Sequence, residues 1–297
     1  MIVILNAEAG PASNSGDEIR TTLGDAFGEA GIHADIVEVH GSDRLVGALR
    51  KALRKSTDTV VAAGGDGTVS TVAAHVAGTD RRLGVLPLGT LNHFAKDVGV
   101  PLELGAAVRT LAKGQTKPVD VAEVNGRLFI NNSCLGICPP TVAPGENLQQ
   151  QLNRSRWSAF VSASILAFRR FPFLNLSVSI GGRELRRKTA FLFVGNNEYE
   201  MTGFGSGARP RLDGGKLGLC TTRQMGRLGL LRLGFRALRG QLEQSEDFDA
   251  FGVDEALIES RDNRLLVSTD GEMRYLRPPL RFRARPGALQ VIVPAEA

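Results

Sequence analysis

Val60-Val61-Ala62-Ala63-Gly64-Gly65-Asp66-Gly67-Thr68 is the stretch that decides the fold. Its unbroken apolar run, closed by glycine, predicts a strand buried on both faces, and the residues from Thr68 to about Val76 predict a helix. Between them, glycines let the backbone turn sharply and bring its N–H groups close to an anion, and the helix N-terminus behind them favours negative charge. Thr68 is a candidate N-cap. Asp66 is unexpected in a loop that only holds phosphate, because a carboxylate repels it. The residue makes sense where it meets Mg²⁺ or accepts a proton from an attacking hydroxyl. A lone Gly-Asp-Gly would be better explained as an ordinary strand–helix turn with a surface Asp.

The same alternation extends on both sides. Ile2–Leu5, Ala34–Val39 and Leu83–Pro87 read as strands, with helices ending at about Ala30 and spanning Asp43–Arg54 and Glu103–Leu111. Strands and helices alternating at this spacing predict βαβ units and a parallel sheet. A second glycine turn, Leu86-Pro87-Leu88-Gly89-Thr90-Leu91-Asn92-His93-Phe94-Ala95, also follows a strand. Two such turns at the carboxyl ends of parallel strands face one crevice, where open α/β sheets bind ligands. After Pro118 the texture changes. Asp120–Val124, Asn125-Gly126 and Arg127–Asn131 predict a hairpin with a tight turn. Leu174–Ile180, Thr189–Val194, Leu217–Thr221, Phe248–Phe251, Leu265–Ser268, Leu280–Ala284 and Ala288–Val293 read as further short strands, the pattern of an antiparallel sandwich. Helical stretches over Trp157–Phe168 and Met225–Leu242 interrupt them.

Composition narrows the partners. The 297 residues are 42% hydrophobic and 23% charged, ordinary for a globular protein. A formal charge of +5 favours anionic partners, whether nucleotides, anionic lipid surfaces or nucleic acid. An aromatic share of 6% argues against a base-stacking single-strand binder, and no nucleic-acid-reading module is recognised. Cys134, Cys138 and Cys220 form no CxxC and lack a matching zinc pair, so reduced thiols are expected. There is no signal-peptide pattern and no apolar run of the ~18 residues that a spanning helix needs. A cytoplasmic protein with at most peripheral membrane contact is expected. Arg223, Arg227, Arg232, Arg236 and Arg239 occur without an acid around a Leu228, Leu231, Phe235 and Leu238 stripe. That pattern suits a helix on an anionic bilayer, or one packed on the sandwich with a solvated basic face.

Gly64–Thr68 followed by Pro87-Leu88-Gly89-Thr90-Leu91-Asn92-His93-Phe94-Ala95 resembles the catalytic domain of the diacylglycerol kinase, sphingosine kinase and ceramide kinase family, its bacterial lipid kinases included. Pro118–Asn132, Gly195-Asn196-Asn197, Arg209–Leu219 and Thr269-Asp270-Gly271-Glu272 are similar to the family's later motifs, in order. NAD kinases and phosphofructokinases carry similar Gly-Gly-Asp-Gly loops, so the ordered set carries the resemblance.

The resemblance implies an α/β ATP-binding domain over residues 1–118 and an antiparallel β-sandwich acceptor-binding domain over 119–297, with ATP and acceptor meeting in the cleft. It implies Mg²⁺-dependent transfer of the γ-phosphate of ATP to a hydroxyl of diacylglycerol or a related lipid at a membrane surface. The alternatives are a soluble small-molecule kinase of the NAD kinase kind and an inactive nucleotide- or lipid-binding relative. Asn6 falls where the family's first loop meets nucleotide, although that loop here, Asn6-Ala7-Glu8-Ala9-Gly10, lacks the family's Pro and Ser. Gly64, Gly65, Gly67 and Thr68 cradle ATP phosphates by the resemblance, and Gly89, Thr90 and Asn92 match the second loop. His93 and Lys96 stand where many bacterial relatives have Asp and Arg. Asp120 matches an acidic position near the cleft, and Asp270 and Glu272 face the ATP loop in the family. Asp66 or Asp270 is then the base and Glu272 serves Mg²⁺, with Asp66 a further metal candidate. Asp213 remains of a structural metal set in which Gly214 replaces the second acid. The aromatic-rich Arg154–Phe173 segment lines an acyl-chain pocket or fills the core. A homodimer through a strand edge is open.

Overall fold

The computed structural model describes residues 1–8, 16–55, 57–136, 173–199, 209–222 and 248–295. Its first half follows the expected alternation: β1 (Ile2–Asn6), α1 (Gly16–Glu29), β2 (Asp35–Val39), α2 (Ser42–Ala52), β3 (Thr59–Gly64), α3 (Asp66–Val76), β4 (Arg82–Pro87), α4 (His93–Asp97) and α5 (Leu104–Lys113). The four strands pair in parallel in the order β2-β1-β3-β4. Every residue of β3 is buried, as a strand covered by helices on both faces must be. Glu103 caps α5, its carboxylate accepting the amides of Gly105 and Ala106 at 2.8 and 2.6 Å.

The second half is β5 (Gln115–Val124), β6 (Arg127–Phe129), β7 (Asn132–Gly136), β8 (Leu174–Ile180), β9 (Arg183–Thr189), β10 (Phe191–Asn196), β11 (Leu217–Thr222), β12 (Phe248–Val253), β13 (Glu255–Ser260), β14 (Leu265–Thr269), β15 (Glu272–Leu276) and β16 (Leu280–Val293). Asn125 and Gly126 turn from β5 into β6 with φ of 49° and 80°, as the Asn-Gly pair predicts. Strands β12-β11-β10-β7-β14-β15 form an antiparallel sheet. It faces β16-β13-β8-β9 across a core that includes Leu135, Leu192, Val267, Ile258 and Phe282. Phe129 and Phe282 meet edge to face there, with centroids 6.4 Å apart. The fold is therefore a parallel α/β sheet followed by an antiparallel sandwich, as expected.

The halves are joined more intimately than a boundary near residue 118 suggests. β5 crosses that point as one continuous strand. The predicted strands Leu280–Ala284 and Ala288–Val293 are one strand, β16, with a bulge between Arg285 and Leu289. Its first part pairs with β13, and its last part returns to the N-terminal sheet, parallel to β4 through Gln290 and Val291. Leu289, Val291, Ile292 and Val293 thus lie in the same core as β1, β3 and β4.

Among the described residues no helix is long and apolar enough to cross a membrane. The helical stretches expected over Trp157–Phe168 and Met225–Leu242, the Arg223–Arg239 stripe, and the Arg154–Phe173 segment apart from Phe173 lie outside the described residues. Cys220 is free and buried, but Cys134 is disulfide-bonded, which corrects the expectation of reduced thiols throughout. A disulfide needs only two cysteines whose Cα atoms come within about 7 Å, which neither a CxxC nor a zinc spacing tests.

A buried guanidinium fastens α4 to the sandwich. Arg209 donates to Asp97 Oδ2 through Nε and Nη2 at 2.9 and 2.6 Å, to Ile130 O at 2.5 Å and to Asn131 Oδ1 at 3.0 Å. Its side chain is fully buried, and it lies 5.5 Å from the centroid of the Tyr199 ring. Burial pushes the Tyr199 hydroxyl up to about 12, so it remains a neutral donor, to Asn131 O at 3.0 Å. Replacing Asp97 by Ala leaves this cation buried without its anion. The expected cost is about 3–5 kcal/mol in denaturant unfolding, whereas removing the exposed Lys55–Asp35 pair should leave the midpoint in place.

Candidate active site

Three loops leave the carboxyl ends of adjacent parallel strands β1, β3 and β4. The loop after β3 is the shortest: β3 ends at Gly64 and α3 begins at Asp66. Gly65 is the N-cap, in extended conformation and without a side-chain bond, so Thr68 is the third helical residue rather than the cap it was expected to be. Its amide donates to Gly65 O at 2.9 Å, and its buried hydroxyl accepts from Asn6 Nδ2 at 3.1 Å, which ties the loop after β1 to the glycine turn. The first amides of any α-helix lack intrahelical partners. With no side chain capping α3, those of Asp66 and Gly67 are left for an anion.

The second glycine turn lies directly on the first. A Cβ built on Gly89 would stand 2.5 Å from Gly65 Cα and 2.9 Å from Asn92 Oδ1, so only glycine lets the two backbones touch. Asn92 adopts a left-handed conformation (φ 51°) and closes this turn on itself. It accepts from Gly89 N at 3.0 Å and donates to Gly89 O at 2.6 Å. Thr90 is exposed beside it. Phe94 N approaches Asp66 Oδ1 at 3.4 Å, a long contact that leaves this carboxylate largely unspent. His93 Nε2, next to Phe94, is buried and has no hydrogen-bond partner among the described residues.

The sandwich supplies the facing wall. Asp270 and Gly271 turn β14 into β15 with φ of 47° and 87°, positive at both central positions as a type I′ hairpin demands. The turn carries the Asp270 carboxylate to α3, where Ser70 donates its hydroxyl to Oδ2. Ser70 is one helical turn beyond Asp66, on the same side of α3. Oδ2 also accepts Ile130 N at 2.9 Å, and Oδ1 accepts Asn131 N and Asn132 N at 2.9 and 3.1 Å. Removal from water pushes the Asp270 carboxyl above its ordinary value, against the downward pull of the Ser70 hydroxyl and the three amides.

The other carboxylates have different surroundings. Glu272 is exposed and bonded to Arg274 Nη2 at 2.9 Å, so the structure brings Asp270 but not Glu272 against α3. Asp120 is buried, with its oxygens taken by Gly215 N at 2.6 Å and Gly287 N at 2.8 Å. Its main-chain N–H and C=O bond Leu212 O and Asn196 Nδ2. In that setting it fastens the loop from Arg209 to Lys216 to the β16 bulge. Asp213 is exposed and pairs with Arg211 at 3.1 Å. Ser70, Asp97 and Tyr199 carry the site's support from outside the sequence motifs, and Arg209 does so from the first position of the Arg209–Leu219 motif. Ser70 could have been found as the residue one turn after Asp66; the buried Arg209 network left no local signal.

The residues present fit a nucleoside triphosphate, through the free amides at the start of α3 and the glycine-on-glycine floor. No cluster of three or more His, Cys, Asp or Glu side chains occurs among the described residues. A phosphate-borne Mg²⁺ needs only one or two protein carboxylates, and Asp66 is placed to be one. Gly67 is exposed with open space around it. Ala there should raise helix stability by up to ~1 kcal/mol, so the fold does not require this glycine. Gly67→Ala is expected to keep or raise the denaturation midpoint while weakening triphosphate binding in calorimetry. Gly89→Ala, with its Cβ against backbone, should lower the midpoint, with a loss of stability of about 1–3 kcal/mol.

Comparison with known proteins agrees with this architecture. Residues 1–124 match the diacylglycerol kinase catalytic domain, and residues 145–293 match the YegS C-terminal NAD kinase beta sandwich-like domain. A Pseudomonas aeruginosa protein described as "Probable lipid kinase YegS-like" is 32% identical over 259 residues, spanning 83% of this chain and 80% of its own length. The Bacillus subtilis diacylglycerol kinase is 42% identical over 87 residues, 28% of this chain and 29% of its own. A crystal structure of a diacylglycerol kinase from Bacillus anthracis superposes with a TM-score of 0.70 at 20% identity, covering 98% of this chain and 96% of that one. Yeast NADH kinase shares the fold more distantly, with a TM-score of 0.53 at 12% identity, over 100% of this chain and 84% of its own. The chain belongs to the diacylglycerol kinase-like lipid kinase family.

Proposed function

We propose that this member of the diacylglycerol kinase-like family transfers the γ-phosphate of ATP to a hydroxyl of diacylglycerol or a related lipid. The observation that carries the proposal is the Ser70–Asp270 hydrogen bond, which places a carboxylate of the sandwich against the helix that begins at the phosphate loop. Three of the four bonds to Asp270 come from rigid backbone amides; the fourth comes from a side-chain hydroxyl. An acceptor hydroxyl would donate to Asp270 as Ser70 does, in exchange for the one bond that does not come from backbone. The raised pKa suits Asp270 to receive the acceptor's proton as the oxygen attacks phosphorus.

The N-terminal side supplies binding and charge. The amides of Asp66 and Gly67 and the start of α3 hold phosphate oxygens, and Asn6 braces Thr68 behind them. Asp66 would hold Mg²⁺ carried in on the triphosphate, which supplies neutralisation of the charge that develops during transfer. Asp120 and Arg209 are positioning residues.

The test is turnover with ATP and a detergent-dispersed diacylglycerol. Asp270→Asn and Asp66→Asn are each expected to lower kcat by roughly 10²–10⁴-fold, whereas Ser70→Ala should stay within about tenfold. A base must be deprotonated to act. The acid limb of kcat/KM for the native protein should therefore lie above the ordinary aspartate value and be absent from the residual activity of Asp270→Asn. Full turnover in Asp270→Asn would remove it from the mechanism. Phosphorylation of NAD in place of lipid would favour the small-molecule kinase reading.

A further inference from the structure

The β14–β15 hairpin that carries Asp270 at one end has an unusual outward side. Register pairs Leu266 with Tyr275 and Ser268 with Met273, while Val267 and Leu265 point into the sandwich core. Met273 and Tyr275 are 72% and 68% exposed, the highest values among the large hydrophobic residues described, and Leu266 is 37% exposed. These three side chains make one apolar strip on an edge hairpin. β15 is the last strand of its sheet.

The end of the hairpin away from Asp270 is basic. Arg261 and Arg264 on the β13–β14 connection and Arg277 after β15 surround an open cavity of about 500 Å³ with Asp262, Asn263 and Pro278. Asp262 is engaged with Ser260, and none of the three arginines forms an ion pair among the described residues. Arg274, on β15 itself, and Arg281, Arg283 and Arg285, on β16, are all paired. Arg264 stands two residues before Leu266, and Arg277 two residues after Tyr275, the spacing that keeps residues on one side of a strand.

From this juxtaposition we propose that the outward side of the β14–β15 hairpin docks on an anionic lipid bilayer, with Leu266, Met273 and Tyr275 entering the interface and Arg261, Arg264 and Arg277 receiving headgroup phosphates. The choice of a bilayer rests on the lipid-kinase reading together with the charge: uncompensated arginines next to exposed apolar side chains match anionic headgroups over hydrocarbon. A second copy of this chain would present the same arginines and repel them. Lying flat, the hairpin spans about 17 Å between the basic cavity and the Asp270 turn. Docking would therefore hold the catalytic turn at the surface from which a lipid hydroxyl comes.

The experiment is co-sedimentation of the full chain, without ATP, with phosphatidylcholine vesicles and with vesicles containing phosphatidylglycerol. The native protein should sediment with the anionic vesicles only. Replacing Arg261, Arg264 and Arg277 together by Gln should weaken that binding on the order of a hundredfold, and Met273→Ser with Tyr275→Ser by about tenfold or more. Both variants should keep native turnover on a detergent-dispersed acceptor, a readout that fails separately if the kinase reading is wrong. Unchanged vesicle binding in both variants, or none by the native protein, overturns the proposal. So does a native dimer in sedimentation velocity that Met273→Ser with Tyr275→Ser converts to monomer while vesicle binding persists.

Discussion

The Asp270 carboxylate is the point on which the two halves of the molecule agree. It sits in a turn that only a positive φ permits, and its oxygens draw in the β6–β7 connection through Ile130 and Asn131, the start of β7 through Asn132, and α3 through Ser70. An anion taken out of water is tolerated only when its acceptor positions are filled. The sandwich must therefore present its turn to the phosphate-loop helix in one orientation. The arrangement that stabilises the fold is the same one that assembles the site.

Two other buried polar groups support that orientation from behind. Arg209 bonds α4, which follows the second glycine turn, to Ile130 and Asn131, whose amides hold Asp270. Asp120 fixes the loop that delivers Arg209. Damage at Asp97 or Asp120 would reach Asp270 through the position of the backbone that holds it. The glycine floor works on the opposite principle. Gly65 and Gly89 approach so closely that the crevice has a backbone bottom, closed at one side by the Asn92 side chain.

Much of this was legible in the residues. The buried apolar run ending in glycines set β3, the turn and α3, and the Asn-Gly pair set the first hairpin. What escaped did so for identifiable reasons. Strand β9, Arg-Glu-Leu-Arg-Arg-Lys-Thr, is an edge strand whose charged side chains discourage further pairing and also hide its period. Strand β15 is inverted: Glu272 and Arg274 share the side of Leu276, while Met273 and Tyr275 point out. Helix α4 is only five residues long, too short to show a repeat. In the site, Asp66 and the glycines announced themselves through local sequence. Ser70 and Arg209 act through partners 200 and 112 residues away, a relation that no window of sequence contains.

The return of β16 to β4 also bears on how the molecule is made. Strand β4 receives its outer neighbour only from residues 290 and 291, so the edge of the parallel sheet is covered only after the sandwich strands that lie between them in the sequence have been made. Such late, distant pairing slows folding and leaves an apolar strand exposed in the meantime. The same closure means that the lobes are laced together by two long strands, β5 and β16, rather than strung on a linker. The bulge between Arg285 and Leu289 is the point at which the pairing of β16 with β5 breaks register as the strand passes from one lobe to the other.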